Sequence, residues 1–187
     1  GLMFLLDHWE RFSPFFRLMG DVAFSDPRME CAHKARVAER LASAGCPTPL
    51  TVGVARLEDI EGAVRAMTFP CIYKPAVKDY GQTFYRAHGM LKAVECVDAE
   101  SLRRALHREV SAGFDLVVQE KISFESAADE MPFYVYADAS HEVRLAVGAL
   151  KESIHPAPFG TATTLRLAWD EELLEAARGV VRALRWR

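Results

Sequence analysis

A lysine inside an apolar run is the first pattern in this sequence that indicates chemistry. Lys74 is the one charged residue of the stretch 69–75, which otherwise reads Phe, Pro, Cys, Ile, Tyr and Pro. An ammonium group in an apolar strand costs free energy unless it meets an anion. A loop rich in glycine and aromatic residues, 79–89, follows closely. We predict that Lys74 binds a phosphate and that this loop covers it. The alternatives are a solvated lysine on an edge strand and an ordinary hairpin connection.

The composition is that of a soluble protein with one large domain or two small lobes. Of the 187 residues, 50% are hydrophobic and 26% are charged. The net charge of −3 argues against a broad nucleic-acid surface, although it allows a local basic pocket. No apolar run reaches the length of about 18 residues that a membrane span needs. We therefore expect a cytoplasmic protein with neither a nucleic-acid nor a membrane partner.

The four cysteines do not indicate a metal site. Cys31, Cys46, Cys71 and Cys96 are far apart and form no Cys-x-x-Cys pair. We expect reduced thiols, with Cys71 and Cys96 in the core because both fall in predicted strands.

Hydrophobic periodicity predicts helices interleaved with strands. The predicted helices cover 7–19, 28–44, 57–67, 99–111 and 171–186. The predicted strands cover 51–54, 70–75, 92–97, 116–119, 133–137 and 142–150. Residues 76–90 and 151–164 are expected to be irregular. Neither a Gly-x-Gly-x-x-Gly motif nor a Gly-Lys-Ser/Thr loop is present, so a two-lobed α+β fold fits better than a doubly wound sheet.

The order and spacing of several short segments resemble the ATP-grasp fold, in its carbamoyl-phosphate-synthase-like and amino-acid-ligase branch. The segments are 32–34, 45–49, 69–75, the loop 79–89, 117–122 and 151–163. The resemblance implies an α+β fold with two lobes around a nucleotide cleft, incomplete at its C-terminal end. It divides the chain into an N-terminal helical remnant of a preceding domain or linker (1–27), a first lobe (28–118), and a hinge with a partial second lobe (119–187).

The resemblance also implies which residues contact the phosphates of ATP. Lys34 and Lys74 would face the triphosphate, and Gly81 and Gly89 would let the loop backbone approach it. Lys151 would face the triphosphate or an acyl phosphate. Two ammonium groups would stabilise charge that develops on the transferred phosphoryl group. From its residue type alone, Lys34 is more typical of an exposed helix lysine.

The adenine and ribose would lie at the hinge. The resemblance places Gln119, Glu120, Lys121 and Ile122 there, with the Glu120 carboxylate accepting from the exocyclic amine. Val118 and Ile122 would be apolar walls, although core packing is their ordinary role. Asp129 or Glu130 would reach the ribose, unless both belong to a solvated acidic loop.

Other polar residues are weaker candidates. Arg144 and Arg166 could grip a carboxylate. His33, His88 and His155 could line the cleft, but each is more typical of a solvated loop histidine.

The sequence departs from the ATP-grasp pattern in its metal ligands. The resembling enzymes hold magnesium with carboxylates and an asparagine of a late Glu-x-Asn strand, whereas this sequence contains no asparagine. We expect a fragment of a larger ligase that is itself inactive, with its magnesium ligands outside the chain. Such a fragment would expose a sheet edge and an apolar face, which favours homodimerisation.

The resemblance implies that the full protein joins a small-molecule carboxylate to an amine or thiol, with ATP and through an acyl phosphate. Two alternatives stay open. One is a non-catalytic nucleotide-binding, regulatory or structural module, and the other is an α+β domain without a nucleotide site.

Overall fold

The computed structural model describes residues 8–12, 14–15, 33–78, 83–124 and 129–185. The helices are α1 Trp9–Phe12, α2 Lys34–Ser43, α3 Ile60–Ala66, α4 Thr83–Ala87, α5 Ala99–Ser111 and α6 Glu171–Leu184. The strands are β1 Thr51–Val54, β2 Cys71–Pro75, β3 Val94–Cys96, β4 Leu116–Glu120, β5 Phe133–Ala137, β6 Val143–His155 and β7 Thr161–Leu167. A 3-10 turn, Leu57–Asp59, precedes α3.

The first sheet is antiparallel with the strand order β1-β4-β2-β3. Gln119 of β4 is opposite Thr51 on one side and Ile72 on the other. Because β2 lies between β4 and β3, Lys74 is not on an edge strand, and that alternative reading is wrong.

One face of this sheet forms the main core. The core contains buried side chains of α3 and α5 together with alternate residues of the strands, such as Cys71, Tyr73 and Val118. Since successive strand residues point to opposite faces, Ile72 and Lys74 lie on the other face. The prediction that Cys71 and Cys96 are core thiols is confirmed: both are buried, and burial raises the pKa of Cys71 to about 12.

The second sheet is antiparallel with the order β5-β6-β7, and α6 packs against β5, β6 and α2. Along β5 the residues alternate between buried or half-buried and exposed. One face of this sheet carries exposed apolar side chains on all three strands. We call it the open apolar face; its members are Tyr134, Tyr136, Leu145, Val147, Leu165 and Leu167.

The two longest helices begin where the sequence predicts. The Asp98 carboxylate accepts from the Ser101 backbone N–H at 2.7 Å, and the Asp170 carboxylate accepts from the Leu173 N–H at 3.0 Å. These contacts satisfy N–H groups that the first turn of a helix leaves unpaired. After α5, Gly113 has a φ of +88°, as expected of a residue that ends a helix.

Two segments predicted to be irregular contain regular structure. Helix α4 lies within the predicted loop 76–90, and β6 and β7 occupy most of 151–164. The prolines and the glycine of 151–164, which are Pro156, Pro158 and Gly160, all lie in the turn between β6 and β7. A Cβ on Gly160 would lie 2.2 Å from the carbonyl oxygen of Pro156, so this turn requires glycine.

Three smaller predictions also need correction. Leu57, predicted to be buried, is 48% exposed because the 3-10 turn shifts the phase of the helix face. Strand β3 is shorter than the predicted 92–97. Of the helix predicted over 7–19, the described part shows Trp9–Phe12, and residues 28–32 of the next predicted helix lie outside the described residues.

Candidate functional site

Lys34 joins the start of α2 to the end of β2. Its backbone N–H donates to the Ala76 carbonyl at 2.8 Å, and its Nζ donates to the Pro75 carbonyl at 2.6 Å. Burial, followed by the nearby positive charge of Lys74, lowers the pKa of Lys34 to about 8. Lys34 is therefore half-buried and hydrogen-bonded, not an exposed helix lysine.

Lys74 is held by a chain of hydrogen bonds across the first sheet. Its Nζ donates to Gln119 Oε1 at 2.6 Å, and Gln119 Nε2 donates to Thr51 Oγ1 at 2.7 Å. The Thr51 hydroxyl donates in turn to the Pro49 carbonyl at 2.9 Å. Burial lowers the pKa of Lys74, and the carboxylate of Glu130 opposes that shift. Thr51 gives no local signal in the sequence, because its contribution depends on the register of β1 against β4.

A third lysine approaches from the second sheet. Lys151 Nζ forms an ion pair with the Glu130 carboxylate, and the Lys151 N–H donates to the Glu130 carbonyl at 3.2 Å. Since Glu130 also acts on Lys74, the structure brings Lys34, Lys74, Glu130 and Lys151 into one electrostatic cluster, which we call the lysine cluster. The cluster contains three ammonium groups and one carboxylate, so it is suited to a polyanion.

The predicted hinge residues, 119–122, lie at and just after the end of β4. Glu120 ends β4; its N–H donates to the Leu50 carbonyl at 2.9 Å, and its Oε2 accepts from the Leu50 N–H at 3.3 Å. Lys121 Nζ is paired with Glu95 Oε2 at 2.7 Å. The side chain of Ile122 is 61% exposed. Glu120 and Ile122 are thus accessible, whereas Lys121 is engaged with β3.

The remaining candidates are distributed as follows. Gly89 has a φ of +62°, a conformation that favours glycine, whereas Gly81 lies outside the described residues. Asp129 is exposed. Arg144 and Arg166 are already paired, with Asp138 at 2.6 Å and with Glu152 at 2.8 Å.

The three candidate histidines differ in their surroundings. His33 Nε2 lies 3.4 Å from Asp115 Oδ2, His155 is exposed, and the His88 side chain is only 14% exposed. The reading of His88 as a solvated histidine is therefore wrong.

Neither a metal cluster nor a membrane helix emerges from the described ranges. Across 8–12, 14–15, 33–78, 83–124 and 129–185, His, Cys, Asp and Glu form no group of three that could hold a metal ion. In the same part of the chain, no helix has the length and apolarity to cross a membrane.

Comparison with known proteins identifies the fold by structure and not by sequence. No protein-family model matches the chain, and no curated protein matches it. Among solved structures, the D-cycloserine synthetase DcsG is similar at a TM-score of 0.64 and 18% identity, covering 98% of this chain and 60% of its own. A RimK domain ATP-grasp protein from Sphaerobacter thermophilus DSM 20745 is similar at 0.52 and 16%, covering 83% and 51%. The chain has the ATP-grasp fold.

A third neighbour of this ATP-grasp fold was solved with ATP. The D-alanine–D-alanine ligase of Bacillus anthracis, complexed with ATP, is similar at a TM-score of 0.53 and 16% identity, covering 83% of this chain and 48% of its own. The chain thus spans about half to three fifths of the length of these three structures. The predicted α+β fold of the ATP-grasp type is confirmed.

Proposed function

We propose that the chain binds the phosphates of ATP at the lysine cluster. The observation that carries this proposal is that Lys34 and Lys74 are both partly buried and both donate to uncharged oxygens, Pro75 O and Gln119 Oε1. Burial without a directly bonded carboxylate leaves their charges poorly compensated. A triphosphate would supply that compensation, and the ATP complex of the Bacillus anthracis ligase supports this choice of anion.

The rest of the nucleotide would extend toward the hinge. We propose that the Glu120 carboxylate accepts from the adenine amine and that Ile122 packs on the ring, because both are exposed at the end of β4. Gln119 would contribute by orienting Lys74. Lys121 would contribute through its backbone at the ring edge, because its side chain is paired with Glu95. Glu130, or else Asp129, would reach the ribose.

The loop 79–89 would cover the phosphates through backbone N–H groups near Gly81 and Gly89. The boundary between the two lobes would fall at residue 119, with 1–27 preceding the first lobe. These assignments follow the resemblance and the positions of the described residues.

We further propose that the whole protein joins a carboxylate to an amine or thiol. The carboxylate would attack the γ-phosphate and displace ADP, giving an acyl phosphate. The amine or thiol would then attack the acyl carbon and displace inorganic phosphate. Lys34, Lys74 and Lys151 would stabilise the charge on the transferred group. The described residues contain no group of acidic, histidine or cysteine side chains that fits a magnesium site. That the chain alone is inactive, cytoplasmic and dimeric stays a prediction.

The test is a calorimetric titration of ATP, with and without magnesium, into the chain and two variants. Lys74→Ala should weaken ATP binding at least about tenfold, as expected for loss of a partly buried ion pair. Lys92→Ala is the matched control, because the Lys92 side chain is exposed, and it should leave affinity unchanged. Circular dichroism would confirm that both variants fold.

Equal affinity of the parent chain and Lys74→Ala, or no binding to either, would contradict the proposed site. Binding that depends on Lys74, without any turnover by the full-length protein, would favour the non-catalytic module.

A further inference from the structure

The core beside α5 contains a charged side chain that the proposed nucleotide site does not use. Glu109 is 4% exposed and is the one buried charged residue in the described part of the chain. Arg108 donates to Glu109 Oε1 from Nε at 2.9 Å and from Nη2 at 2.5 Å. Arg108 Nη2 also donates to the Tyr73 hydroxyl at 3.3 Å. A carboxylate in this position needs such partners, because burial disfavours its charge.

His88 faces the same carboxylate oxygen. Its Nε2 lies 3.3 Å from Glu109 Oε1, yet this buried nitrogen makes no hydrogen bond. The imidazole ring packs against Phe84, with ring centroids 4.3 Å apart, and meets Tyr73 edge to face at 6.1 Å. The position of the ring is therefore fixed by the core, and its distance from Glu109 follows from that packing.

His88 belongs to the segment 83–92, which lies between β2 and β3 in the sequence. The end of this segment is hydrogen-bonded to the second sheet. The segment starts with α4, whose Phe84 is fully buried, and continues through Gly89 and Met90, which have φ values of +62° and +70°. At its end, the Lys92 N–H donates to the Phe159 carbonyl in the turn between β6 and β7, at 2.9 Å. Because His88 and Lys92 belong to the same short segment, a contact that holds His88 in place also helps to hold the Lys92 backbone against the second sheet.

The protonation state of His88 changes this attachment. A neutral imidazole has no net charge to attract the Glu109 carboxylate, and its buried Nε2 makes no hydrogen bond in this geometry. An imidazolium places a positive charge beside the Glu109 carboxylate, in an environment that screens it weakly. The opposing charge is that of Arg108, whose side chain is 64% exposed and so better screened. Among the described contacts of the ring, the other titratable group is the hydroxyl of Tyr73 from β2.

We propose that His88 is a pH-sensitive clamp: its protonated imidazole holds the segment 83–92 on Glu109, and loss of the proton loosens that segment. Its effect on nucleotide binding rests on the proposed function, because residues 83–89 of this segment belong to the loop 79–89 that would cover the phosphates. His88 and Glu109 are in this sense positioning residues, since neither is among the groups proposed to contact ATP.

The experiment is amide hydrogen exchange of the nucleotide-free chain at pH 6 and pH 8, corrected for the intrinsic pH dependence of exchange. Protection of the amides in 83–92 should be at least about threefold greater at pH 6 than at pH 8, because the clamp requires the protonated imidazole, whose population rises as the pH falls. His88→Gln and Glu109→Gln should both remove that difference. The amides of α6, in the same samples, serve as the reference for the rest of the fold. The same pH dependence in the parent chain and in His88→Gln would overturn the clamp.

A second arm measures the affinity for ATP of the parent chain and His88→Gln at both pH values. Any pH effect of Lys34 is common to the two proteins, so their affinity ratio reports on His88. The affinity of the parent chain divided by that of His88→Gln should be at least about threefold larger at pH 6 than at pH 8. If exchange depends on His88 but neither protein binds ATP, the clamp stands and the proposed function fails. If ATP binds but neither readout depends on His88, the clamp fails and the proposed function stands.

Discussion

Lys34 has a lowered pKa, and the sign of its effect on stability can be derived. Burial, with a further contribution from Lys74, lowers the pKa of Lys34 from 10.5 to about 8. Between these two values the unfolded chain binds more protons at this site than the folded chain does. The contribution of Lys34 to the free energy of unfolding therefore rises with pH across that window.

We expect this rise to disappear in Lys34→Met. The difference in free energy of unfolding, parent chain minus variant, should increase between pH 8 and pH 10, as measured by urea unfolding followed by fluorescence. Tyr73 and Cys71, whose pKa values are raised by burial, act in the opposite direction but equally in both proteins. Lys92→Met should give a difference that is flat with pH, and a flat difference for Lys34→Met would show that its ammonium group is not desolvated.

Single residues were predictable to the extent that their type conflicts with their neighbours. Lys74 stands out because it is charged within an apolar strand, and the structure shows it partly buried. Its partner Gln119 was predicted to serve the adenine, and Thr51 was not predicted at all. The Lys74–Gln119 contact joins residues 45 positions apart in the sequence, and the Gln119–Thr51 contact joins residues 68 positions apart. Both contacts therefore depend on how distant strands align. No local pattern in the sequence predicts that strand alignment.

Helix α4 illustrates the same limit for a secondary-structure element. It has five residues, too few for a helical period to be recognised, and the glycines on either side favour a loop. Burial of Phe84 decides the outcome, because its ring fits between Tyr73 and Phe114 with centroids 6.0 and 5.6 Å away. Longer elements with caps and a full apolar stripe, α5 and α6, were predicted nearly to the residue.

Phe84→Ala should destabilise the fold by about 3–5 kcal/mol, the usual cost of removing a fully buried aromatic ring. The measurement is chemical unfolding at neutral pH. Tyr134→Ala is the control: its ring is 59% exposed, and we expect a cost below about 1 kcal/mol. Similar costs for the two variants would mean that the segment around α4 is only loosely attached, as the sequence had indicated.

On the scale of the whole molecule, contacts of several kinds among the described residues join the two sheets. Helix α2 packs against α6, the Lys92 N–H reaches the Phe159 carbonyl, and the lysine cluster places Lys74 of one sheet near the Glu130–Lys151 pair of the other. The division into two lobes was predicted from the sequence. The contacts between the two sheets were not predicted, since they join residues that are distant along the chain.

Glu130→Gln should therefore destabilise the fold by about 1 kcal/mol, because it leaves Lys151, whose side chain is 19% exposed, without its carboxylate. Glu152→Gln is the matched control on β6: it removes the partner of Arg166, which is 60% exposed, and should change stability by less than about 0.5 kcal/mol. Thermal unfolding by circular dichroism at low and high salt measures both. If the two variants are equally stable, the lysine cluster does not help to hold the sheets together.

The open apolar face has a practical consequence for assays of this protein. Six large side chains from three strands, among them Leu167 at 76% exposure, offer an environment-sensitive dye a place to bind before any unfolding occurs. Fluorescence in a dye-based melting assay should start high, and a shift on adding nucleotide could report displacement of the dye. Label-free calorimetry and circular dichroism avoid that artefact.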